Sequence, residues 1–266
     1  MADRYAVIGH PVAHSKSPWI HAEFARQTRQ DLEYGRIEAP LDGFARAVDE
    51  FRAAGGRGAN VTLPFKEQAF RYCAGAVTER AAAAGVVNTL IVESGKLRGD
   101  NTDGVGLLRD LEINLRQKIA GACVLLLGAG GAAQGVLGPL LDAGPQRLVV
   151  ANRTVAKARE LARRFGAAGC GYDELGGAQF DLLINATSAG LAGEVPPLPP
   201  AAFAPGSLGY DMVYGRDTPF LAMARAAGAE GCDGSGMLVE QAAESFFLWR
   251  GLRPDTAPVL AALRER

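Results

Sequence analysis

The sequence predicts an α/β chain of two domains. Short apolar runs alternate with stretches of helical periodicity along most of the 266 residues, as strands and helices laid down in turn. The alternation falls into two series with a break near residue 102. Length points the same way, because at roughly 150 residues per domain it fits two modest domains or one large one. Glycine numbers 34, nearly twice the usual share of roughly 7%. The glycines follow no triplet period, so they mark tight turns and close backbone approaches rather than a collagen or a linker.

In the first series, strands are expected at Tyr5–Ile8, Leu32–Ile37, Gly58–Leu63 and Val86–Val92. Pro18–Thr28 reads as a helix opening with proline in its first turn, where a missing N–H costs nothing. Leu41–Ala54 is the next helix, with Leu41, Phe44, Val48 and Phe51 at helical spacing. A helix of about Gly104–Leu115 leads into the second series. Its strands are Cys123–Leu127, Arg147–Ala151, Asp181–Asn185 and Leu208–Met212, separated by helices at Ala132–Ala143, Val155–Phe165 and Pro219–Ala227. Met237–Arg250 and Ala257–Arg264 are the last helices, and the proline-rich stretch Pro196–Pro205 reads as a surface loop.

Charge and cysteine usage exclude several functions. Lys and Arg total 28 against 29 Asp and Glu, so the chain lacks the basic footprint of a dedicated nucleic-acid binder or a polybasic membrane anchor. Cys73, Cys123, Cys170 and Cys232 never form a C-x-x-C pair, which argues against a zinc ribbon, a thioredoxin motif and a disulfide framework. Cys123 lies in the run Cys123-Val124-Leu125-Leu126-Leu127 and reads as a small core hydrophobe. The start, Met1-Ala2-Asp3-Arg4-Tyr5, has no signal-peptide layout. The glycines from Gly128 to Gly131 interrupt the best approach to a membrane span of ~20 apolar residues. A cytoplasmic protein in a reducing compartment is expected. His10, His14 and His21 have no carboxylate or cysteine at ligand spacing, so no metal is expected.

The sharpest local signal is Leu125-Leu126-Leu127-Gly128-Ala129-Gly130-Gly131-Ala132-Ala133, which follows a strand and opens a helix. That is the context of a dinucleotide fingerprint in its G-x-G-x-x-A form, and hence of a Rossmann-type domain. Gly128 permits the tight turn, and Gly130 lets the backbone approach a pyrophosphate. The helix N-terminus, with Gly131 and Ala132, then offers free N–H groups and a positive dipole end. An NAD site wants an acid at the end of the next strand, to accept from the ribose 2′-OH. Here Leu148-Val149-Val150-Ala151 ends in Asn152-Arg153-Thr154, with Lys157 one turn on. Two cations stand where a 2′-phosphate would lie, so NADP is preferred over NAD. Thr154 is also placed to cap the following helix.

Five further blocks resemble the shikimate dehydrogenase family. They are Gly9-His10-Pro11-Val12-Ala13-His14-Ser15-Lys16-Ser17-Pro18, Asn60-Val61-Thr62-Leu63-Pro64-Phe65-Lys66, Gly85-Val86-Val87-Asn88-Thr89, Gly99-Asp100-Asn101-Thr102-Asp103-Gly104 and Gly234-Ser235-Gly236-Met237-Leu238-Val239-Glu240-Gln241-Ala242. They occur in the family's order around the glycine-rich and Asn152-Arg153-Thr154 motifs. The resemblance implies NADPH-dependent reduction of 3-dehydroshikimate to shikimate, a step of chorismate and aromatic amino acid biosynthesis. It implies a substrate domain of residues 1–102 completed by helices within 240–266, an NADP domain of residues 103–239, and a cleft between them. A monomer or homodimer that binds only small molecules fits it.

The resemblance also assigns roles. Lys66 and Asp103 match the catalytic pair, Ser15 and Ser17 the carboxylate contacts, and Thr62, Asn88 and Gln241 the contacts to ring hydroxyls. Tyr214 matches a tyrosine that touches substrate. Thr187 and Gly234 match residues that bind the cofactor, and Met212 and Met237 match residues that pack on its nicotinamide. The chemistry agrees, since hydride addition to a ketone leaves an alkoxide that needs a positioned proton donor. Lys66 follows Pro64 into the first turn of a helix, where the dipole disfavours a cation. On the residues alone, Ser15, Ser17 and Asp103 read equally as helix caps, and the methionines as core. Lys157 stands where many family members carry Arg, which weakens bidentate phosphate capture. A broader quinate/shikimate dehydrogenase and a non-catalytic NADP-binding regulatory homologue remain the alternatives.

Overall fold

The computed structural model describes residues 2–189 and 193–266. The chain divides into two compact units, Met1–Gly106 with Leu238–Arg266, and Leu107–Met237. The sequence blocks put these junctions at 102/103 and 239/240, a few residues away.

The first unit holds a five-stranded sheet in the order β2-β1-β3-β4-β5. Its strands are β1 (Asp3–Gly9), β2 (Leu32–Glu38), β3 (Gly56–Val61), β4 (Thr89–Glu93) and β5 (Lys96–Asp100). β1, β2 and β3 are parallel, and β4 and β5 run antiparallel to their neighbours. Side chains alternate across the central strand. Ala6 and Ile8 pack with Phe44, Val48 and Phe51 of α2 (Phe44–Ala53) and with Phe65, whereas Tyr5 stacks on Trp249 of α9 (Ser235–Arg250). A further cluster joins Ile20 and Phe24 of α1 (Ser17–Thr28) to Val239 and Phe246 of α9 and to Leu260 of α10 (Ala257–Arg264).

The second unit is a six-stranded, wholly parallel sheet in the order β11-β10-β9-β6-β7-β8. The strands are β6 (Cys123–Leu127), β7 (Arg147–Ala151), β8 (Ala168–Cys170), β9 (Phe180–Asn185), β10 (Phe203–Asp211) and β11 (Glu230–Asp233). Helices cover both faces, which is why the central strands read as continuous apolar runs. Val124 and Leu126 pack towards α6 (Gly131–Asp142) and α7 (Val155–Phe165). Leu125 and Leu127 pack towards α8 (Pro219–Ala226).

Several expectations need correction. The single strand expected at Val86–Val92 is a hairpin of β4 and β5, turned by Ser94 and Gly95, both at positive φ. Two positive φ angles are the signature of a tight hairpin turn, and Ser-Gly announces it less clearly than Asn-Gly. Leu41 is 60% exposed, and its helix starts only at Phe44. Pro196–Pro205 is not a plain surface loop: Leu198, Ala202 and Phe203 are buried against Phe180 and Phe220, and β10 begins at Phe203. Cys123 is half-buried at the first position of β6 rather than fully in the core. The helix expected at Gly104–Leu115 is α5 (Asp103–Arg109) followed by one π-turn at Asp110–Asn114. Helix α4 (Glu79–Ala84) was not expected; Thr78 caps it by accepting from the Ala81 amide, and Gly85 ends it in the left-handed region. The short edge strands β8 and β11 offer too few residues to show a period.

His21 carries a consequence for stability. It is fully buried on α1 and stacks on Tyr34 at 4.2 Å. Burial pulls its pKa from 6.5 to about 3. Between those values the unfolded chain binds a proton that the folded one refuses, so stability falls as pH falls through the window, by about 1.4 kcal/mol per unit at most. His21→Phe keeps the stack and removes the titration. Its melting temperature is expected to fall less steeply between pH 6 and pH 4 than that of the wild type; parallel profiles would show that His21 does not titrate on unfolding.

Candidate active site

In the first unit, the strand register places the candidate residues at one end of the sheet. Ile8 pairs with Val61, Asn60 with Thr89, and Thr89 with Asp100. The segments that follow β1, β3 and β5 and the one that precedes β4 therefore leave from a common edge, and carry Ser15 and Ser17, Thr62 and Lys66, Asp103, and Asn88 respectively. Glycine is required at position 9, where a Cβ would lie 2.4 Å from Thr62 Cγ2. Two cis prolines, Pro11 and Pro64, follow β1 and β3, and the His10 amide donates to the Leu63 carbonyl at 2.9 Å.

Lys66 is the first residue of α3 (Lys66–Tyr72). Its ammonium donates to Asp103 Oδ2 at 2.6 Å, with the two side chains 15% and 5% exposed. Asp103 Oδ1 accepts from Asn88 Nδ2 at 2.9 Å. The orientation of that amide is fixed by its surroundings. The Thr102 backbone N–H can only donate, and it donates to Asn88 Oδ1 at 2.8 Å, so the Asn88 NH₂ must face the carboxylate. The Asp103 amide in turn donates to Asn101 Oδ1. Upstream, Arg80 binds Asp100 through two nitrogens at 2.6 and 2.9 Å, which secures the end of β5. Asp103 is itself the first residue of α5, and the bonds its carboxylate accepts come from Lys66 and Asn88 rather than from a helix amide.

Ser15 and Ser17 are buried, with their hydroxyls 3.2 Å apart. Ser15 Oγ accepts from the Ser17 amide, the first of α1, at 3.3 Å, while the N-cap position itself is Lys16, without a side-chain bond. Arg36 of β2 holds the Ser15 carbonyl through two nitrogens. Gln241 lies on α9, and its Oε1 is 3.5 Å from both Thr102 Oγ1 and Asn88 Nδ2. The backbone of Gln241 comes so close to Gly106 that a Cβ there would sit 2.7 Å from its amide nitrogen.

Sequence reasoning missed Asn60. Its Nδ2 donates to Ser245 Oγ at 2.9 Å and to Thr89 Oγ1 at 3.2 Å, while its Oδ1 accepts from Tyr34 at 2.8 Å. The available signal was an amide inside an otherwise small and apolar buried strand, which must be hydrogen-bonded to be tolerated there.

In the second unit, Leu127 pairs with both Ala151 and Asn185, Asn185 with Asp211, and Asp211 with Asp233. Gly128, Asn152, Thr187, Met212 and Gly234 each follow one or two residues later, so all stand at the carboxyl end of the sheet. The chain leaves β6 for β7 on one side and β9 lies on the other. That reversal is the switch point where such sheets bind nucleotides. Gly128 has φ 109°, and a Cβ there would press on the Ala186 carbonyl and Thr187 at 3.2 Å. Ala129 follows, then Gly130 at the N-cap of α6, where no side chain caps the helix. No side-chain cap takes the first amides of α6, from Gly131 and Ala132 onwards, and Ala133 is buried against the sheet.

At the end of β7, Asn152 Nδ2 donates to the Thr154 carbonyl at 3.1 Å, and Arg153, Thr154 and Lys157 are exposed. Thr154 occupies the N-cap position of α7, but its side chain makes no cap bond. Thr187 donates its hydroxyl and its amide to Asn185 Oδ1. Met212 and Tyr214 are half-buried, whereas Met237 belongs to the core cluster. Gly234 passes so close to the Met212 carbonyl that a Cβ would lie 2.5 Å from it. Among the described residues no group of His, Cys, Asp and Glu could hold a metal, and no helix is long and apolar enough to cross a membrane.

Three family models match the chain. They describe a shikimate dehydrogenase substrate binding domain over residues 7–90, a shikimate/quinate 5-dehydrogenase over residues 111–192, and a shikimate 5′-dehydrogenase C-terminal domain over residues 234–264. A shikimate dehydrogenase (NADP(+)) of Methylobacillus flagellatus is 58% identical over 268 residues, covering 98% of this chain and 99% of that protein. Among solved structures, an Ael1 enzyme from Pseudomonas putida superposes with a TM-score of 0.92 at 49% identity, covering 98% of each chain. The shikimate 5-dehydrogenase of Thermus thermophilus, in complex with NADP(H) and shikimate, gives 0.90 at 37% identity and covers 99% of each.

Proposed function

The chain belongs to the shikimate dehydrogenase family, and on that premise we propose that it reversibly reduces 3-dehydroshikimate to shikimate with NADPH, in the cytoplasm, as a step of chorismate biosynthesis. The observation that carries this reading is the Lys66–Asp103 pair, with Asn88 locked onto the second carboxylate oxygen. Residues 1–106 with 238–266 are the substrate-binding unit, and residues 107–237 the NADP-binding unit. The four cysteines are free, as a reducing compartment would keep them.

NADPH, when bound, supplies the hydride. The residues present fit it: Gly128 opens the turn, the uncapped start of α6 would face a pyrophosphate, and Arg153 and Lys157 stand where a 2′-phosphate would lie, with no acid in the Asn152-Arg153-Thr154 turn after β7 to repel it. On the substrate, the carbonyl oxygen gains negative charge as its carbon is reduced. Lys66 donates a proton to that oxygen and takes it back in the oxidation of shikimate. Asp103 orients the ammonium, and Asn88 holds Asp103. Ser15 and Ser17 donate to the carboxylate. Thr62, Asn88 and Gln241 contact the ring hydroxyls and Tyr214 touches the substrate; Thr187 and Gly234 would line the cofactor, with Met212 and Met237 against its nicotinamide.

The test is a set of initial rates for shikimate and quinate, each with NADP⁺ and NAD⁺, on the wild type and Arg153→Ala. Shikimate with NADP⁺ is expected to be fastest. A charge-assisted hydrogen bond contributes about 1.5–3 kcal/mol, so Arg153→Ala should lower kcat/KM for NADP⁺ about ten- to hundredfold, and leave NAD⁺ nearly unchanged. Lys157 sets the loss towards the lower end. Equal loss with both cofactors would remove Arg153 from phosphate recognition. Comparable rates with quinate would make the enzyme a broader quinate/shikimate dehydrogenase, and no turnover at all would leave a cofactor-binding homologue.

A further inference from the structure

Asp211 is a fully buried carboxylate at the carboxyl end of β10, and among the described residues its hydrogen bonds come from neutral donors. Its Oδ2 accepts from Asn185 Nδ2 at 3.0 Å and from Thr218 Oγ1 at 2.6 Å, and its Oδ1 accepts from the Val213 amide at 3.0 Å. Burial raises its pKa, and these three donors oppose the rise. Burying a carboxylate without a cation is costly and is a poor way to stabilise a fold. Its partner Asn185 is equally buried and faces the other way. Asn185 Oδ1 accepts from the Thr187 hydroxyl at 2.7 Å and the Thr187 amide at 3.1 Å, and the Asn185 carbonyl accepts from the Met212 amide at 2.9 Å. The pair therefore holds the first residues of two neighbouring loops, one carrying Thr187 and the other Met212 and Tyr214.

We propose that Asp211, acting through Asn185, is a positioning residue for NADP: it fixes the Asn185 amide so that its oxygen faces Thr187, and so holds both loops against the nicotinamide half of the cofactor. This rests on the reading that Thr187 and Met212 contact that cofactor. The logic is directional. With the Thr187 amide and hydroxyl both donating to Asn185 Oδ1, the Asn185 NH₂ must face Asp211, and the carboxylate is the acceptor that satisfies it there.

Asp211→Asn sets an NH₂ against the NH₂ of Asn185 and is expected to raise the Kd and KM for NADP⁺ about tenfold or more, with the KM for shikimate changing about twofold at most. Asn185→Asp combined with Asp211→Asn rebuilds the pair in reverse. The carboxylate introduced at position 185 would accept from Thr187 and from the new amide at position 211, whose oxygen receives the Val213 N–H. The double variant should recover most of the affinity, a result that a general loss of stability would not produce. Calorimetric titration of NADP⁺ into the three proteins decides. Wild-type binding with an unaffected Asp211→Asn overturns the proposal alone, whereas no wild-type binding overturns the cofactor reading with it. Should Asp211→Asn not fold, the double variant decides: near-native affinity supports the proposal, and weak affinity or loss of fold overturns it.

Discussion

Lys66→Ala is expected to lower kcat by about 10²–10⁴, the usual worth of a positioned proton donor and equivalent to roughly 3–5 kcal/mol of transition-state stabilisation. The geometry confines the loss to chemistry. An ammonium carries three N–H groups, and Asp103 Oδ2 engages one of them at 2.6 Å, which aims the side chain while other N–H groups remain for the substrate oxygen. On the proposed reading the carboxylate and ring hydroxyls of shikimate fall to other residues, Ser15, Ser17, Thr62, Asn88 and Gln241, so KM should move much less than kcat. Removing the ammonium also leaves Asp103, at 5% exposure, without its cation, which destabilises the fold. Rates should therefore be read well below the melting temperature of the variant, in both reaction directions. A fall in kcat with intact shikimate binding is the expected pattern. A folded Lys66→Ala protein that turns over at nearly the wild-type rate would take Lys66 out of the proton transfer.

Much of the second unit was legible because a parallel sheet covered on both faces writes each central strand as an unbroken apolar run. Cys123–Leu127 and Arg147–Ala151 are found with the bounds their patterns predict, as is the helix Val155–Phe165. The first unit was harder at its antiparallel edge, where one apolar run from Val86 hid a loop carrying Asn88, a strand and a turn. Short edge strands such as Ala168–Cys170 carry no period to read. In the site, residue types could be matched to a family motif but their bonding could not. Nothing in the order Asn101-Thr102-Asp103 distinguishes a helix cap from a carboxylate gripped on both oxygens. That distinction comes from Lys66 and Asn88, 37 and 15 residues distant along the chain. Asn185 and Asp211 lie in two expected strands, and only the fold reveals that they bond to each other.

Asp103→Asn is expected to abolish most activity while leaving a folded protein. If Asp103 served only as a helix cap, Asn would be nearly neutral, since the two residues rank alike at that position. The structure gives its carboxylate other partners, since Oδ1 accepts from Asn88 and Oδ2 from Lys66. An asparagine cannot satisfy both partners. Its oxygen can receive one of them, and its NH₂ must then confront the other, which is also a donor. Asn88 cannot turn over to accept, because the Thr102 amide holds its oxygen. One mismatched buried pair costs about 1–3 kcal/mol, which in a chain of this size lowers the melting temperature by a few degrees per kcal/mol. The catalytic loss should be far larger, because the charge that orients the Lys66 ammonium disappears with the carboxylate. kcat is expected to fall by about 10² or more, with NADP⁺ affinity intact, since that site is built from other residues. Activity and thermal unfolding measured on this one variant separate the roles: turnover near the wild-type rate would show that Lys66 needs no anionic partner, and a collapse of the fold in step with activity would make Asp103 a structural residue.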